Sequence, residues 1–409
     1  MQQTSTLSQQ YIDYENQYGA HNYHPLPVVL EKGSGVYVWD VEGKQYFDFL
    51  SGYSSVNQGH CHPRIVSKLI EQAQQLTLTS RAFYNNQLGI YEKFMTELLG
   101  FDKLLPMNSG VEAVETAIKL ARRWGYEKKG IPANEAIIVV CENNFHGRTL
   151  NVISFSNDSS AKINYGPFMT GYVSIPFNDI DALQAVIENK NVAGFLVEPI
   201  QGEAGVVVPD EGYLKKAAKL CKDANVLFIA DEIQTGLGRT GKLLACHHEN
   251  VQPDILILGK ALSGGMMPVS AVLANDDIML NIQPGEHGST YGGNPLACAV
   301  AIESIQVLLD EKLSENASEQ GDYFREQLTK LNSPHIALIR GKGLFTAVVI
   351  NNNINEEEVA MKLCYALMRN GLLAKPTHGD KIRFSPPLCI TKEQIDEAIS
   401  IISSSLKEL

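Results

Sequence analysis

The sequence predicts an α/β protein organised around a mainly parallel sheet. Two observations carry this. Short apolar runs of strand length recur through the middle of the chain, and a segment between them has the spacing of a helix with one buried stripe. The composition agrees: 44% of residues are apolar and 20% charged, as in a globular chain able to bury a sizeable core.

In the first fifty residues, VYVWDVEGKQYFDF alternates on either side of Glu42-Gly43, which predicts a hairpin. Residues 112–125 place Val114, Ala117, Ile118, Ala121 and Trp124 on one helical face. The runs at 136–141, 192–197, 226–230, 255–258 and 269–273 read as strands of one sheet. Beyond Pro295 the pattern changes to a long helical segment, a strand at 344–350, a helix, and a closing helix from Lys392. The expected organisation is an N-terminal segment (1–50) packed with a small lobe, a large domain (51–295) and a C-terminal small domain (296–409). No repeat or low-complexity linker interrupts it, so the lobes are expected to pack tightly.

The net charge of −12 argues against a general nucleic-acid or anionic-membrane binder, while leaving room for a local basic pocket that takes a phosphate or carboxylate. Seven scattered cysteines, never in a C-x-x-C pair, read as reduced thiols of a cytosolic protein. No apolar run has the length of a membrane span, and MQQTSTLSQQ lacks a signal's basic start and apolar core. The first arginine is Arg64, so the expected compartment is the cytoplasm, or the mitochondrial matrix if a presequence has been removed.

Lys260 follows DILIL and Gly259. A lysine at the end of such a run is drawn inward, where its charged form is disfavoured and the neutral amine can attack an aldehyde. The alternative is a lysine that snorkels from a strand end. Asp231 directly follows VLFIA, at the carboxyl edge where open α/β sheets bind ligands. A carboxylate there can pair with a protonated ring nitrogen, and Gln234 is placed to bond a ring hydroxyl; a metal site or a Walker B carboxylate fits the same pattern. Ser109 and Glu112 match the S-x-x-E capping box, and the helix start at Ser109-Gly110-Val111 leaves N–H groups suited to a phosphate, or is simply a capped helix. Ser289 and Thr290 supply further hydroxyls. Arg148 and Arg383 can bind carboxylates bidentately, or sit in solvated pairs.

Some motifs mislead. GLGRTG at 236–241 matches a dinucleotide fingerprint, but DEIQT separates it from its strand and the expected acidic residue is missing. With Lys242 it nearly matches a P-loop, yet Leu243 stands where Ser or Thr is needed. It reads as a glycine-rich active-site loop. His60-Cys61-His62 and His247-His248 lack metal-ligand spacing.

From about Tyr18 to the C-terminal helix, the chain resembles the class III, or ω-amino acid, aminotransferases. The segments that carry this are GAHNYHPLPVVL, SSVNQGHCHPRIV, LTSRAFYNNQLG, VEPIQGEAGVVVPD, FIADEIQTGLGRTG, LGKALSGG, PGEHGSTYGGNPL and GLLAKPTHGDKIRFSPPL. The resemblance implies the type I aminotransferase fold, with a seven-stranded sheet and a smaller α+β lobe, and pyridoxal 5′-phosphate as cofactor. It further implies that Lys260 holds the cofactor as a Schiff base and acts as general base and acid, that Asp231 pairs with the pyridine nitrogen, and that Gln234 contacts the ring hydroxyl. Phe145 would stack on the ring and Ser109, Gly110 and Val111 cradle the phosphate. Ser289 would help complete that cup, and Thr290 would reach it across a subunit boundary, making the protein a homodimer or higher homo-oligomer with no nucleic-acid or membrane partner. Tyr23 and Arg148 would hold the substrate α-carboxylate and Tyr53 favour an ω-amino donor, while Glu203 and Arg383 form a gate. The implied reaction moves the δ-amino group of ornithine to 2-oxoglutarate, giving glutamate and glutamate 5-semialdehyde, which cyclises to pyrroline-5-carboxylate. Acetylornithine or 4-aminobutyrate as donor is the alternative within the family, and a non-catalytic protein of the same fold the distant one.

Two departures bear on the pocket lining. His146 stands where a tryptophan is expected in animal members, and Met266-Met267 precedes Pro268 where Leu-Tyr is usual.

Overall fold

The computed structural model describes residues 6–351, 359–377 and 379–409; residue 378, within GLLAKPTHGDKIRFSPPL, and the first five residues lie outside the described set. Three sheets organise the chain. The first joins β1 (Leu30–Ser34), β2 (Tyr37–Asp40) and β3 (Gln45–Asp48). The expected hairpin is β2 and β3, paired antiparallel, with Gly43 at φ +85° in the turn.

The central sheet contains β4 (Lys103–Met107), β5 (Ile137–Cys141), β6 (Tyr172–Ile175), β7 (Val192–Val197), β8 (Leu227–Asp231), β9 (Ile255–Leu258) and β10 (Ser270–Ala274). Its order is β4-β10-β9-β8-β7-β5-β6, all parallel from β9 to β6, with β10 antiparallel to both its neighbours. This is the expected α/β architecture with a mainly parallel seven-stranded sheet. Every residue of β7 is buried, because helices cover both faces. Ala193 and Leu196 face the core beneath the Gly110–Trp124 helix, while Val192, Phe195 and Val197 face the core beneath the Tyr213–Asp223 helix.

Past residue 294 the expected long helical segment is two helices, Pro295–Asp310 and Leu313–Lys330, broken where Lys312 takes φ +51°. The third sheet holds β11 (Ile336–Lys342), β12 (Phe345–Ile350), β14 (Lys375–Thr377) and β15 (Lys381–Phe384) in the order β11-β12-β15-β14, and the closing helix runs Lys392–Leu406. The two-residue β13 (Leu372–Leu373) leaves this lobe to pair parallel with β3 of the first sheet. No described helix is long and apolar enough to cross a membrane.

GLGRTG packs away from the sheet's ligand edge. Arg239 is fully buried and donates to the carbonyls of Leu344 (2.8 Å) and Pro386 (2.6 Å). The loop is thus a latch between the central sheet and the third sheet, and none of residues 236–241 lines the cavity described below. The histidines of the His60-Cys61-His62 segment have carboxylate partners: His60 meets Asp48 at 2.7 Å and His62 meets Glu311 at 2.9 Å.

Candidate active site

Three adjacent parallel strands deliver three titratable groups to one sheet edge. Glu198 follows β7, Asp231 ends β8, and Lys260 stands two residues beyond β9. Lys260 opens a single 3-10 turn, Lys260–Ser263, with φ +46°, so the chain reverses sharply and turns the side chain into a cavity of about 260 Å³. Burial lowers the Lys260 amine to about 8, against the opposing pull of Glu203. Its neutral, nucleophilic form is therefore more accessible than that of an ordinary lysine.

Asp231 is 4% exposed and its Oδ2 lies 2.6 Å from Nδ1 of His146. Burial alone would lower the His146 imidazole, but the hydrogen bond and charge of Asp231 and the charge of Glu198 outweigh it and raise it. Glu198 was not singled out from the sequence, although it occupies the same strand-end position as Asp231. It accepts the Phe145 N–H at 2.8 Å, and burial pushes its carboxyl up to about 7, with Asp231 adding to the rise and His146 opposing it.

The Gly110–Trp124 helix begins at the same cavity. Ser109 caps it, Glu112 returns the bond to the Ser109 N–H at 2.6 Å, and the expected capping box is formed. Gly110 and Val111 line the cavity at the helix start, where N–H groups have no intrahelical acceptor. Phe145, Gln234 and Arg148 complete the wall. Gly147 at φ +129° lets the Phe145–Arg148 loop press against Val111, where a Cβ would collide.

Glu203 and Arg383 form the expected pair, Oε1 to Nη1, at 2.7 Å. The Arg383 side chain is 2% exposed and that of Glu203 18%. Burial would raise the Glu203 carboxyl, but Arg383, Lys260 and Gln234 hold it below the usual range. Gln234 Nε2 lies 3.4 Å from both Glu203 Oε1 and the Tyr53 carbonyl, so it joins the gate to the Lys260 cavity. The Arg383 guanidinium sits 5.6 Å from the Tyr53 ring centre. Tyr53 lies in a turn in which Ser51, Gly52, Tyr53 and Ser54 all have left-handed φ, from +49° to +68°. Such a conformation costs a non-glycine residue roughly 1–2 kcal/mol.

Other expected site residues lie further out. Arg148 is half exposed, stacks 5.1 Å from the Phe145 ring and bonds Asp158 at 3.1 Å. Tyr23 is 66% exposed and outside any strand or helix. Ser289 and Thr290 line a separate surface hollow with Ser80 and Arg81, tied to the helix start through Asn108 Nδ2, which donates to Ser289 Oγ at 2.8 Å. A larger cavity of about 770 Å³ adjoins the first through Phe145 and Arg148 and is walled by Glu203, Arg340 and Lys381. Among the described residues no cluster of metal-ligating side chains is present.

The arrangement fits pyridoxal phosphate: an amine of lowered basicity, a buried carboxylate at a strand end, a planar aromatic wall and a capped helix start share one cavity. A seven-stranded α/β sheet with this lysine-bearing edge fits the pyridoxal-phosphate enzymes, and residues 18–406 match the model of the class-III aminotransferases, the family to which the chain belongs. Within that family the chain is 62% identical over 392 residues to the mitochondrial ornithine aminotransferase of Drosophila melanogaster, spanning 96% of this chain and 90% of the relative. The fold matches an ornithine aminotransferase of Toxoplasma gondii with a TM-score of 0.96 and 48% identity, over 98% of this chain and 94% of that one; its description reports partial occupancy of pyridoxal phosphate at the active site. An acetylornithine aminotransferase from Elizabethkingia anophelis is 58% identical with a TM-score of 0.91, over 99% and 100% of the two chains.

Proposed function

We infer that the protein transfers the δ-amino group of L-ornithine to 2-oxoglutarate, using pyridoxal phosphate. The observation that carries the choice of substrates is the Glu203–Arg383 pair, bridged by Gln234 to the Lys260 cavity and faced by Tyr53. A transaminase must admit two differently shaped substrates to one site. With Glu203 neutralising Arg383, the aminoalkyl end of ornithine meets no net charge there. When 2-oxoglutarate enters, Arg383 is released to the α-carboxylate beside its reacting keto carbon, a planar fork well matched to two oxygens.

The cofactor, when bound, supplies an aldehyde that accepts the amino group and a ring that withdraws electrons from the carbon losing its proton. Gly110 and Val111 would hold its phosphate, with Ser109 fixing the helix start, and Phe145 would lie against its ring. Asp231, oriented by His146, would keep the ring nitrogen protonated, and Gln234 would contact the ring hydroxyl. Lys260 would move a proton from Cδ of ornithine and return it on the other side of the transfer, a role suited to an amine titrating near 8. Arg148 and Tyr23 would hold the α-carboxylate. The products are glutamate and glutamate 5-semialdehyde, which cyclises to pyrroline-5-carboxylate.

The same reading makes the active unit a homodimer, with Ser289 and Thr290 completing the phosphate cup across the subunit boundary; their placement outside the Lys260 cavity supports this. It divides the chain into 1–50, 51–295 and 296–409, supported by the pairing of β3 with β13. The cytoplasm or the mitochondrial matrix is the compartment.

The similarity to an acetylornithine aminotransferase favours N-acetylornithine as the second reading. Initial rates with ornithine, N-acetylornithine and 4-aminobutyrate, each with 2-oxoglutarate, separate them. Ornithine as the best donor is expected; a higher kcat/KM for N-acetylornithine overturns the choice of substrate.

A further inference from the structure

The turn that presents Tyr53 is unusual in its backbone. Ser51 (φ +49°), Gly52 (+55°), Tyr53 (+58°) and Ser54 (+68°) form a run of left-handed residues of which only one is glycine. Strain of this kind persists only where the surroundings impose it. The turn's serines give nothing back: the hydroxyls of Ser51 and Ser54 are buried without a hydrogen-bond partner. Its internal bonds, such as Ser55 N–H to the Ser51 carbonyl at 2.8 Å, are those of any tight turn.

What imposes the turn lies just before it. Asp48, the last residue of β3, accepts the N–H groups of Leu50 (2.9 Å) and Ser51 (2.8 Å) on Oδ1. Its other oxygen, Oδ2, bonds Nε2 of His60 at 2.7 Å. The His60 main chain is in turn bridged to Gly35, between β1 and β2, by bonds of 2.8 and 3.1 Å. The Phe49 carbonyl accepts the N–H of Ser385, two residues after Arg383, at 2.7 Å. One carboxylate, locked by one histidine on the first sheet, thus fixes where the left-handed run starts. The run then delivers the Tyr53 ring to Arg383 and the Tyr53 carbonyl to Gln234.

We propose that Asp48 and His60 are positioning residues for the amino-donor site, holding the Ser51–Ser54 turn in its strained form so that Tyr53 stays against Arg383. This gives the His-Cys-His segment a role that its resemblance to a metal motif conceals. It rests on the reading that Tyr53 faces the donor.

The test is a double-mutant cycle on the holoenzyme, His60→Ala against Tyr53→Ala, together with melting temperatures of Ser54→Gly in wild-type and Asp48→Ala backgrounds. His60→Ala is expected to lower kcat/KM for ornithine about tenfold, chiefly through KM, and to add almost nothing once Tyr53 is removed. Ser54→Gly is expected to raise Tm by roughly 1–2 °C in the wild-type protein, where glycine relieves the strain, and not in Asp48→Ala, where the turn has already relaxed. Additive losses in the cycle, or equal Tm gains in both backgrounds, overturn the proposal. If the wild-type enzyme prefers another donor, the reading of function fails, and the melting comparison alone still decides whether Asp48 holds the turn.

Discussion

The Arg383 guanidinium and the Glu203 carboxylate meet at 2.7 Å at the wall of the site, with the Arg383 side chain almost wholly removed from water. A buried ion pair contributes little net stability, because desolvation offsets most of the attraction, but removing one partner strands the other charge. The pair is therefore suited to exchange, since an incoming carboxylate can take the place of Glu203 and leave Arg383 satisfied.

Glu203→Ala should separate the two half-reactions. With Arg383 permanently free, KM for 2-oxoglutarate is expected to fall, while kcat/KM for ornithine drops about 10- to 100-fold because a bare cation faces its aminoalkyl chain. Single-turnover kinetics of each half-reaction check this; equal losses in both contradict it.

Glu198 should leave a signature in stability against pH. Its folded-state carboxyl is raised from 4.5 to about 7, so between those values the folded protein binds the proton that the unfolded chain has released. Stability from this group is present below 4.5 and lost as pH rises through 7. Glu198→Gln removes the dependence, so the variant should gain on wild type by roughly 3 kcal/mol between pH 4.5 and 8. Denaturant unfolding at the two pH values measures the difference, and a constant offset contradicts it.

Arg239→Met should unfold the latch. The carbonyls of Leu344 and Pro386 lose their donor in a dry setting, at a cost of about 3–5 kcal/mol, and Lys should recover only part of it. Thermal unfolding of the holoenzyme provides the readout. A change below about 1 kcal/mol would falsify the structural role.

Ser109→Ala removes the cap of the Gly110–Trp124 helix. Stability should fall by about 1 kcal/mol, and the dissociation constant for pyridoxal phosphate should rise, since the N–H groups at the helix start lose their fixed direction. Equilibrium dialysis of cofactor against variant and wild type checks the second effect.

Much of this was legible in the sequence, for physical reasons. The interior strands β5, β7, β8, β9 and β10 are continuous apolar runs because both their faces are covered, and each was found to within a residue. Within this sheet the strands without such a run, β4 and β6, are its edges. β4 carries Pro106, which an edge tolerates and a central strand does not, and of the four residues of β6 only Ile175 is buried. Lys260 and Asp231 were visible as charges closing greasy strands. Glu198 closes its strand in the same way, but the proline that follows it masks the signal. The left-handed turn at Tyr53 was not readable, since one glycine among four residues gives no warning of it. Ser289 and Thr290, by contrast, offer hydroxyls suited to a phosphate cup, but within one chain they stand apart from the cavity.

The chemistry rests on the Lys260 amine, lowered by burial just beyond β9, moving the proton in the transfer. Steady-state turnover of Lys260→Ala with ornithine, 2-oxoglutarate and saturating cofactor, trapping the cyclised product, tests it most directly. A loss of about 10²- to 10⁴-fold in kcat with the fold intact is expected. Multiple turnovers at a rate within tenfold of wild type would contradict it.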